Sequence, residues 1–359
     1  MRHISLCDRD SLLAVPVIGR FLITVCAAML LVLGGVSRVA AQQSSDFIHP
    51  GDVWLDNRGM PIQAHGGGIL HVGSTYFWFG EDRSQANDPD KRYVSCYSSV
   101  DLVHWTFRNQ VLAITNPDGL GNKFILERPK VFYSRKRKTY VMYLHLDDSS
   151  YAMARVAIAT SKTVDGVYTY RKSFRPFNLE SRDIGQFIDE DGSAYLIFES
   201  RPSKGFYIAK LSDDRMGLDK IVSFVQAPLE GGAIAHDHGV YYVIGSHLTG
   251  WRPNPNVYAT APSLAGPWSM FENIAPPATN TYDSQSSMLL TISGSKATSV
   301  IYVGDRWTPK NLWDSRYIWM PLDMTGGRLA LPPPEPWKIN VQTGVVSFLP
   351  NTSAGSSTE

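Results

Sequence analysis

The sequence predicts an all-β chain folded as a five-bladed β-propeller, and three observations carry that prediction. Beyond residue 45 no segment keeps a 3.6-residue apolar period; short β-branched and aromatic runs alternate with turn residues instead. The composition agrees, with 9 Trp, 17 Tyr and 15 Phe beside 29 Gly and 22 Pro in 359 residues, a mixture suited to strands and turns. One pattern also recurs five times: an apolar strand, a polar turn, then a strand that in most copies is Tyr-rich.

The first copy pairs Gly68-Ile69-Leu70-His71-Val72 with Tyr76-Phe77-Trp78-Phe79. The second sets Lys130-Val131-Phe132-Tyr133 against Tyr140-Val141-Met142-Tyr143. In the third, Gln186-Phe187-Ile188-Asp189 turns at Glu190-Asp191-Gly192 into Tyr195-Leu196-Ile197-Phe198. The fourth runs from Gly232-Ala233-Ile234-Ala235 through His236-Asp237-His238-Gly239 to Tyr241-Tyr242-Val243-Ile244. Met288-Leu289-Leu290 and Val300-Ile301-Tyr302-Val303 make the fifth. Each hairpin is followed by further strand sequence, as in Arg155-Val156-Ala157-Ile158-Ala159. A two-sheet sandwich also repeats strands and turns, but spacings of 46–64 residues between the markers Tyr76, Tyr140, Tyr195, Tyr241 and Ile301 are those of blades. One propeller over residues 45–346 is therefore expected, with a disordered polar tail at 347–359.

Residues 21–36 carry no charge, follow Arg2, Arg9 and Arg20, and precede Val39-Ala40-Ala41, which fits a signal-peptidase site before Gln42. Sixteen uncharged residues are short for a membrane span. Residues 1–41 thus read as an export signal, and a secreted or periplasmic protein is expected. Its removal leaves Cys96 as the sole cysteine, which excludes an internal disulfide and a CxxC metal or redox centre. A net charge of +1 for the whole chain gives no general attraction to nucleic acid or anionic membrane, so neither partner is expected.

A propeller brings the inner strands of all its blades to one central face, where residues distant in sequence converge. The polar residues beside the first strand of each repeat are His65, Glu127, Asp183, Glu230 and Gln285. Carboxylates around one pocket suit glycosidic bond cleavage, in which a protonated acid assists the leaving oxygen and a second group activates water. Each residue also has a bland reading. Glu127 and Asp183 adjoin Arg128 and Arg182 and fit plain ion pairs, Glu230 fits a solvated turn, and Gln285 fits a core amide. Their recurrence in register is what singles them out. The glycines after His65 admit close approach of a ligand. His236 and His238 sit at a hairpin tip and read as solvated, so no metal and no cofactor is expected. No HExxH, Walker A or GxSxG signature is present. Tyr151, Trp251, Trp307, Trp313 and Trp319 are candidate sugar platforms, although most such rings belong to cores.

At these residues the sequence resembles glycoside hydrolase family 43, in its exo-β-1,3-galactanase branch. The matching pieces are Ala64-His65-Gly66-Gly67-Gly68, Asp101-Leu102-Val103-His104-Trp105, Glu127-Arg128-Pro129-Lys130-Val131 and Ser181-Arg182-Asp183. They continue with Thr249-Gly250-Trp251, Ser284-Gln285-Ser286 and Gly304-Asp305-Arg306-Trp307, so the likeness runs from about residue 50 to 345. The resemblance implies a five-bladed propeller that inverts anomeric configuration and releases galactose from β-1,3-galactan. By the same resemblance Glu230 is the general acid, Asp183 tunes its pKa and Gln285 holds the attacking water. Glu127 grips the terminal sugar, with Glu81, Tyr151, Thr249 and Trp251 as further contacts beside His65. The base Asp usual in the family's first blade is missing near Ala64-His65-Gly66. The chain also departs from the family at Leu229-Glu230-Gly231-Gly232, at Gly245-Ser246-His247-Leu248 and at Gln186. Two other readings stay open: a family member acting on arabinan or xylan side chains, and an inactive carbohydrate-binding propeller. The expected partner is a polysaccharide, β-1,3-galactan or arabinogalactan, bound by a monomer.

Overall fold

A computed structural model describes residues 45–350. The expected export signal and residues 351–359 of the expected tail lie outside this range. Blade one is an antiparallel sheet of β1 (His65–Val72), β2 (Thr75–Asp82), β3 (Lys91–Ser99) and β4 (Thr106–Thr115). Blade two holds β5 (Ile125–Ser134), β6 (Thr139–Asp147), β7 (Arg155–Ser161) and β8 (Thr169–Phe174). Blade three holds β9 (Ile184–Ile188), β10 (Ala194–Ser200), β11 (Gly205–Leu211) and β12 (Leu218–Val225). Blade four has β13 (Leu229–Asp237), β14 (Val240–His247), β15 (Asn256–Ala261) and the short β16 (Glu272–Asn273). Blade five has three strands, β17 (Gln285–Ser293), β18 (Thr298–Arg306) and β19 (Arg316–Pro321). A last hairpin pairs β20 (Trp337–Asn340) with β21 (Val345–Phe348), so regular structure runs two residues past the expected boundary at 346.

The five hairpins read from the sequence are the first two strands of the five blades. Their first strands form a closed ring, in which β1 neighbours β5 and β17, β9 neighbours β5 and β13, and β13 neighbours β17. Every inner strand is covered on both faces by adjacent blades, which is why β6 and β10 are apolar and buried almost throughout. The outer strands β8 and β12 are covered on one face at most and carry Lys and Arg.

The apolar cores sit between blades. Phe79, Val94, Met142 and Leu144 fill the space between blades one and two. Phe132, Tyr143, Leu196 and Phe198 pack blade two on blade three, and Ile197, Phe206, Ile234 and Val243 pack three on four. Cys96 is wholly buried among these groups, and burial pushes its thiol pKa well up. An aromatic cluster joins blades five and one, with Trp78 4.6 Å from Trp319 and 5.2 Å from Trp105.

The ring is latched where residues 48–51 meet β19 and β20. Ile48 and Trp337 exchange backbone hydrogen bonds of 2.7 and 3.0 Å, and Gly51 N donates to Tyr317 O on β19 at 2.7 Å. The Trp337 indole is fully buried and donates to Trp319 O at 2.7 Å. Trp337→Ala should remove both packing and closure, lowering stability by about 3–5 kcal/mol in chemical denaturation. A loss below 1 kcal/mol would show that the blades hold together without this latch.

Candidate active site

The first strands bring their polar residues to one end of the ring by a shared backbone device. A single-residue bulge follows His65 in β1, Glu127 in β5, Glu230 in β13 and Ser286, next to Gln285, in β17. Such a bulge bends the strand and re-aims the side chain beside it. The residue after the polar one has positive φ in three blades: Gly66 at 56°, Arg128 at 52° and Gly231 at 66°. Glycine takes this conformation freely, whereas Arg128 holds it at a strain of about 1–2 kcal/mol.

Across the hairpin, each of these residues faces a polar partner at the end of the second strand. His65 is opposite Glu81, Glu127 opposite His145, Glu230 opposite Ser246 and Gln285 opposite Asp305. In blade three Glu199 N donates to Asp183 O at 3.0 Å. The result is a cavity of about 220 Å³, walled in part by Glu81, Glu127, Arg128, Asp183, Glu230 and Gln285. Tyr151, Arg201, Gly250, Trp251 and Trp307 complete the wall.

Arg128 is the cation at the centre. Its Nη2 lies 2.9 Å from Asp183 Oδ2 and 2.6 Å from Gln285 Oε1, and Nη1 donates to Ser286 O at 3.1 Å. Its backbone N–H donates to Glu81 Oε1 at 3.0 Å. The simple Glu127–Arg128 pair considered from the sequence is therefore replaced by bonds to blades one, three and five. Asp183 also accepts Gly231 N–H at 2.9 Å, which ties blade three to the turn beside Glu230.

Glu230 is 7% exposed. Its Oε1 accepts from Gln285 Nε2 at 3.1 Å, and Oε2 lies 3.6 Å from Arg201 Nη2. Burial pushes its pKa up to about 8, reinforced by the negative charges of Asp183 and Glu199 against Arg128 and Arg201. Oxygens of Asp183, Glu199 and Glu230 lie within 4.8 Å of one another, so the Asp183 charge opposes ionisation of both glutamates. Glu199 is almost wholly buried, with Oε1 held by Arg201 Nε at 2.8 Å and Oε2 without a partner.

Glu127 has the opposite environment. Burial opposes its ionisation, yet the His145 hydrogen bond and charge, with Arg83 and Arg128, bring its pKa down to about 2. His145 Nδ1 lies 3.4 Å from Glu127 Oε2 and its Nε2 3.0 Å from Asp147 Oδ2. Burial lowers the His145 pKa and these two acids overcome it, raising it to about 9. Tyr151 OH donates to Glu127 Oε1 at 3.2 Å. Glu81 is paired with Arg83, and burial still raises its carboxyl pKa.

The Gln285 amide is saturated. Its oxygen accepts from Arg128 and, at 3.0 Å, from Trp307 Nε1, while Nε2 donates to Glu230 and, at 3.0 Å, to Ser246 Oγ. Since Arg and Trp only donate, the orientation of the amide is fixed. Trp251 is 45% exposed and stands edge-on to Trp307, with ring centroids 5.6 Å apart. Trp319 is core, and Trp313 borders a separate depression. His65 is wholly buried outside the cavity wall, its Nδ1 3.2 Å from Asp305 and its ring stacked on Tyr317. Thr249 also stays off the wall; it bonds Arg252 O and Asn254 and so shapes the loop presenting Gly250 and Trp251.

The sequence reading missed Arg128 as a hub, and Glu199, Arg201, His145 and Arg83. Spacing offered a signal for part of this, because Arg83 and Arg201 follow Glu81 and Glu199 by two positions, one residue beyond the ends of β2 and β10.

A blade ring with carboxyls of opposed pKa in a cavity edged by tryptophans defines a carbohydrate-active hydrolase site. The sequence matches the model of glycosyl hydrolases family 43 over residues 62–289. The chain belongs to that family and is a glycoside hydrolase. It is 42% identical to an exo-β-1,3-galactanase from Phanerochaete chrysosporium solved with β-1,3-galactotriose, covering 85% of this chain and 71% of that one at a TM-score of 0.80. An exo-β-1,3-galactanase from Clostridium thermocellum shares 35% identity over 86% of this chain and 70% of that one, with a TM-score of 0.79. A family-43 β-1,3-galactosidase solved with galactodeoxynojirimycin shares 32% identity over 79% and 98%, with a TM-score of 0.71. No curated protein sequence matches the chain.

Removing the buried guanidinium leaves the Asp183 charge uncompensated and takes one of its two donors from the Gln285 oxygen. Arg128→Met should therefore destabilise the protein by about 3–5 kcal/mol in urea titration. Wild-type stability in that variant would contradict the hub assigned to Arg128.

Proposed function

We propose that this hydrolase is an exported, inverting exo-enzyme that removes terminal galactose from β-1,3-galactan. The observation that carries the reading is the environment of Glu230, a carboxyl held protonated near neutral pH beside a sugar-sized cavity. The galactanase and galactosidase relatives support galactose and the β-1,3 linkage. A volume of about 220 Å³ is below the roughly 300–1,000 Å³ of drug-sized sites, which favours one chain end over an internal stretch. Export rests on residues 1–41 read as a signal and on a polymer substrate that does not cross membranes.

In this reading Glu230 donates its proton to the glycosidic oxygen as the bond to the anomeric carbon breaks. Asp183 supplies negative charge that keeps the proton on Glu230 until the leaving oxygen takes it. The substrate oxygen displaces the Gln285 contact to Glu230, and the freed amide N–H orients the attacking water. A neutral amide does not take up that water's proton near neutral pH, so it passes to an ionised carboxylate of the same cavity. Glu127, kept ionised by His145 and Arg83, is suited to that role and to gripping sugar hydroxyls. Tyr151 and Trp251 add a polar and an apolar contact to the ring and Glu81 lines the wall, while His65 and Thr249 act from behind it.

The first test is product analysis on β-1,3-galactan, with β-1,4-galactan, arabinan and xylan as controls. Galactose from β-1,3-galactan alone is expected, and product from another polymer instead would reassign the substrate. Glu230→Gln should lower kcat by about 10²–10⁴-fold with sugar binding retained, since it deletes the acid and keeps the shape.

The pH profile follows from the sign of the shift. Glu230 acts protonated, so kcat/KM should fall as pH rises through about 8. Glu199→Gln removes one of the negative charges holding that proton. The alkaline limb should then move down by about one pH unit, with kcat/KM at acidic pH little changed. An equal loss at every pH would mark Glu199 as merely structural.

A further inference from the structure

A second concavity, of about 830 Å³, lies at the other end of the blades and contains none of the groups discussed above. The first strand of each blade begins at the carboxylate end, so the β5–β6, β7–β8 and β11–β12 turns all fall on the opposite face. Residues of these three turns wall this groove, between blades two and three.

Its chemistry is cationic and hydroxyl-rich. The β5–β6 turn reads Ser134-Arg135-Lys136-Arg137-Lys138-Thr139, with all four cations exposed. Arg137 lines the groove and meets Asp214 at 3.4 Å. Lys162 and Arg171 face it from the β7–β8 hairpin, donating to Thr139 Oγ1 at 3.3 Å and Thr160 Oγ1 at 2.7 Å. Among the described residues neither has an acidic partner. In a chain of net charge +1 this is a local concentration of positive charge around a cleft, arranged to draw in an anion.

We propose that this groove is a second binding site, for a uronate-bearing segment of polysaccharide. The guanidinium and ammonium groups pair with sugar carboxylates, and the Thr and Ser hydroxyls exchange hydrogen bonds with sugar hydroxyls. No aromatic ring lines the groove, so it lacks the platforms on which single-stranded nucleic acid stacks. Its apolar lining is confined to Val167, Met216 and Gly166 within a concave cleft, which does not match the continuous apolar face that enters a bilayer. A chain held here raises the local concentration of its neutral ends at the catalytic face without any new contact there. The sugar character of the ligand rests on the function proposed above; the anionic character rests on the groove alone.

The test is calorimetric titration with polygalacturonate, using the wild-type protein, Glu230→Gln, Arg137→Ser and a Lys162→Ala/Arg171→Ala double variant. Wild-type and Glu230→Gln proteins should bind alike, and more weakly at high salt. The double variant should lose about tenfold in affinity, roughly 1.4 kcal/mol, and Arg137→Ser should also weaken binding. The three substituted groove positions, Arg137, Lys162 and Arg171, are exposed, and unchanged thermal midpoints will show that the fold is intact. Absence of binding at low salt, unchanged affinity in the double variant, or tighter binding of single-stranded DNA or phosphatidylglycerol vesicles would each overturn the proposal. Galactose release from neutral β-1,3-galactan is measured on the wild-type protein and on the Arg137→Ser and Lys162→Ala/Arg171→Ala variants, and should not change among them. If that release fails in the wild-type protein while polygalacturonate binds, the catalytic reading falls and the groove stands.

Discussion

One buried guanidinium holds the catalytic face together. Arg128 bonds Asp183 of blade three, Gln285 and Ser286 of blade five, and Glu81 of blade one, while its own strand supplies Glu127. Glu230 in blade four joins the same assembly through Gln285 and through the Asp183 bond to Gly231. A charge this deep is tolerable only with its bonds satisfied, so each neighbour is fixed as strictly as Arg128 itself. The positive φ of Arg128 fits this role. The matching bulge positions in blades one and four hold glycine, whereas here strain is accepted to keep the side chain in place.

The same fixed charges divide the carboxyls by protonation state. Glu127 and Glu230 are both buried acids of inner strands, yet one is held ionised and the other protonated. The difference lies in the partner across each hairpin. His145 brings a positive charge to Glu127, whereas Ser246 brings none to Glu230, which looks instead toward Asp183 and Glu199. Pairs of titratable groups pushed apart in this way are how one pocket provides both a proton donor and an ionised carboxylate at one pH.

The two ends of the blades have diverged in chemistry while sharing strands. At one end bulges turn side chains inward and the charges are paired across blades. At the other, plain hairpin turns leave cations exposed beside hydroxyls. Each strand thus carries a constraint at each end and an apolar middle that adjacent blades cover.

The sequence by itself determined the blade count and the inner-strand register, because hairpins are local and apolar runs with turn residues are written in consecutive letters. It also determined which polar residue leads each blade: Glu127, Glu230 and Gln285 fall within the opening residues of β5, β13 and β17, and Asp183 just before β9. Tertiary structure alone decided what those residues meet. Arg128 reaches Gln285 across 157 positions and Ser286 across 158, and no local pattern encodes such a pairing. His65 fits the register as well as the others, yet it is buried against Asp305 and Tyr317, because whether a leading residue faces the cavity or the ring interior depends on the neighbouring blade. Glu199 shows the same limit from the other side. Its strand reads as plain core, and its proximity to Asp183 and Glu230 arises only when blades three and four close together.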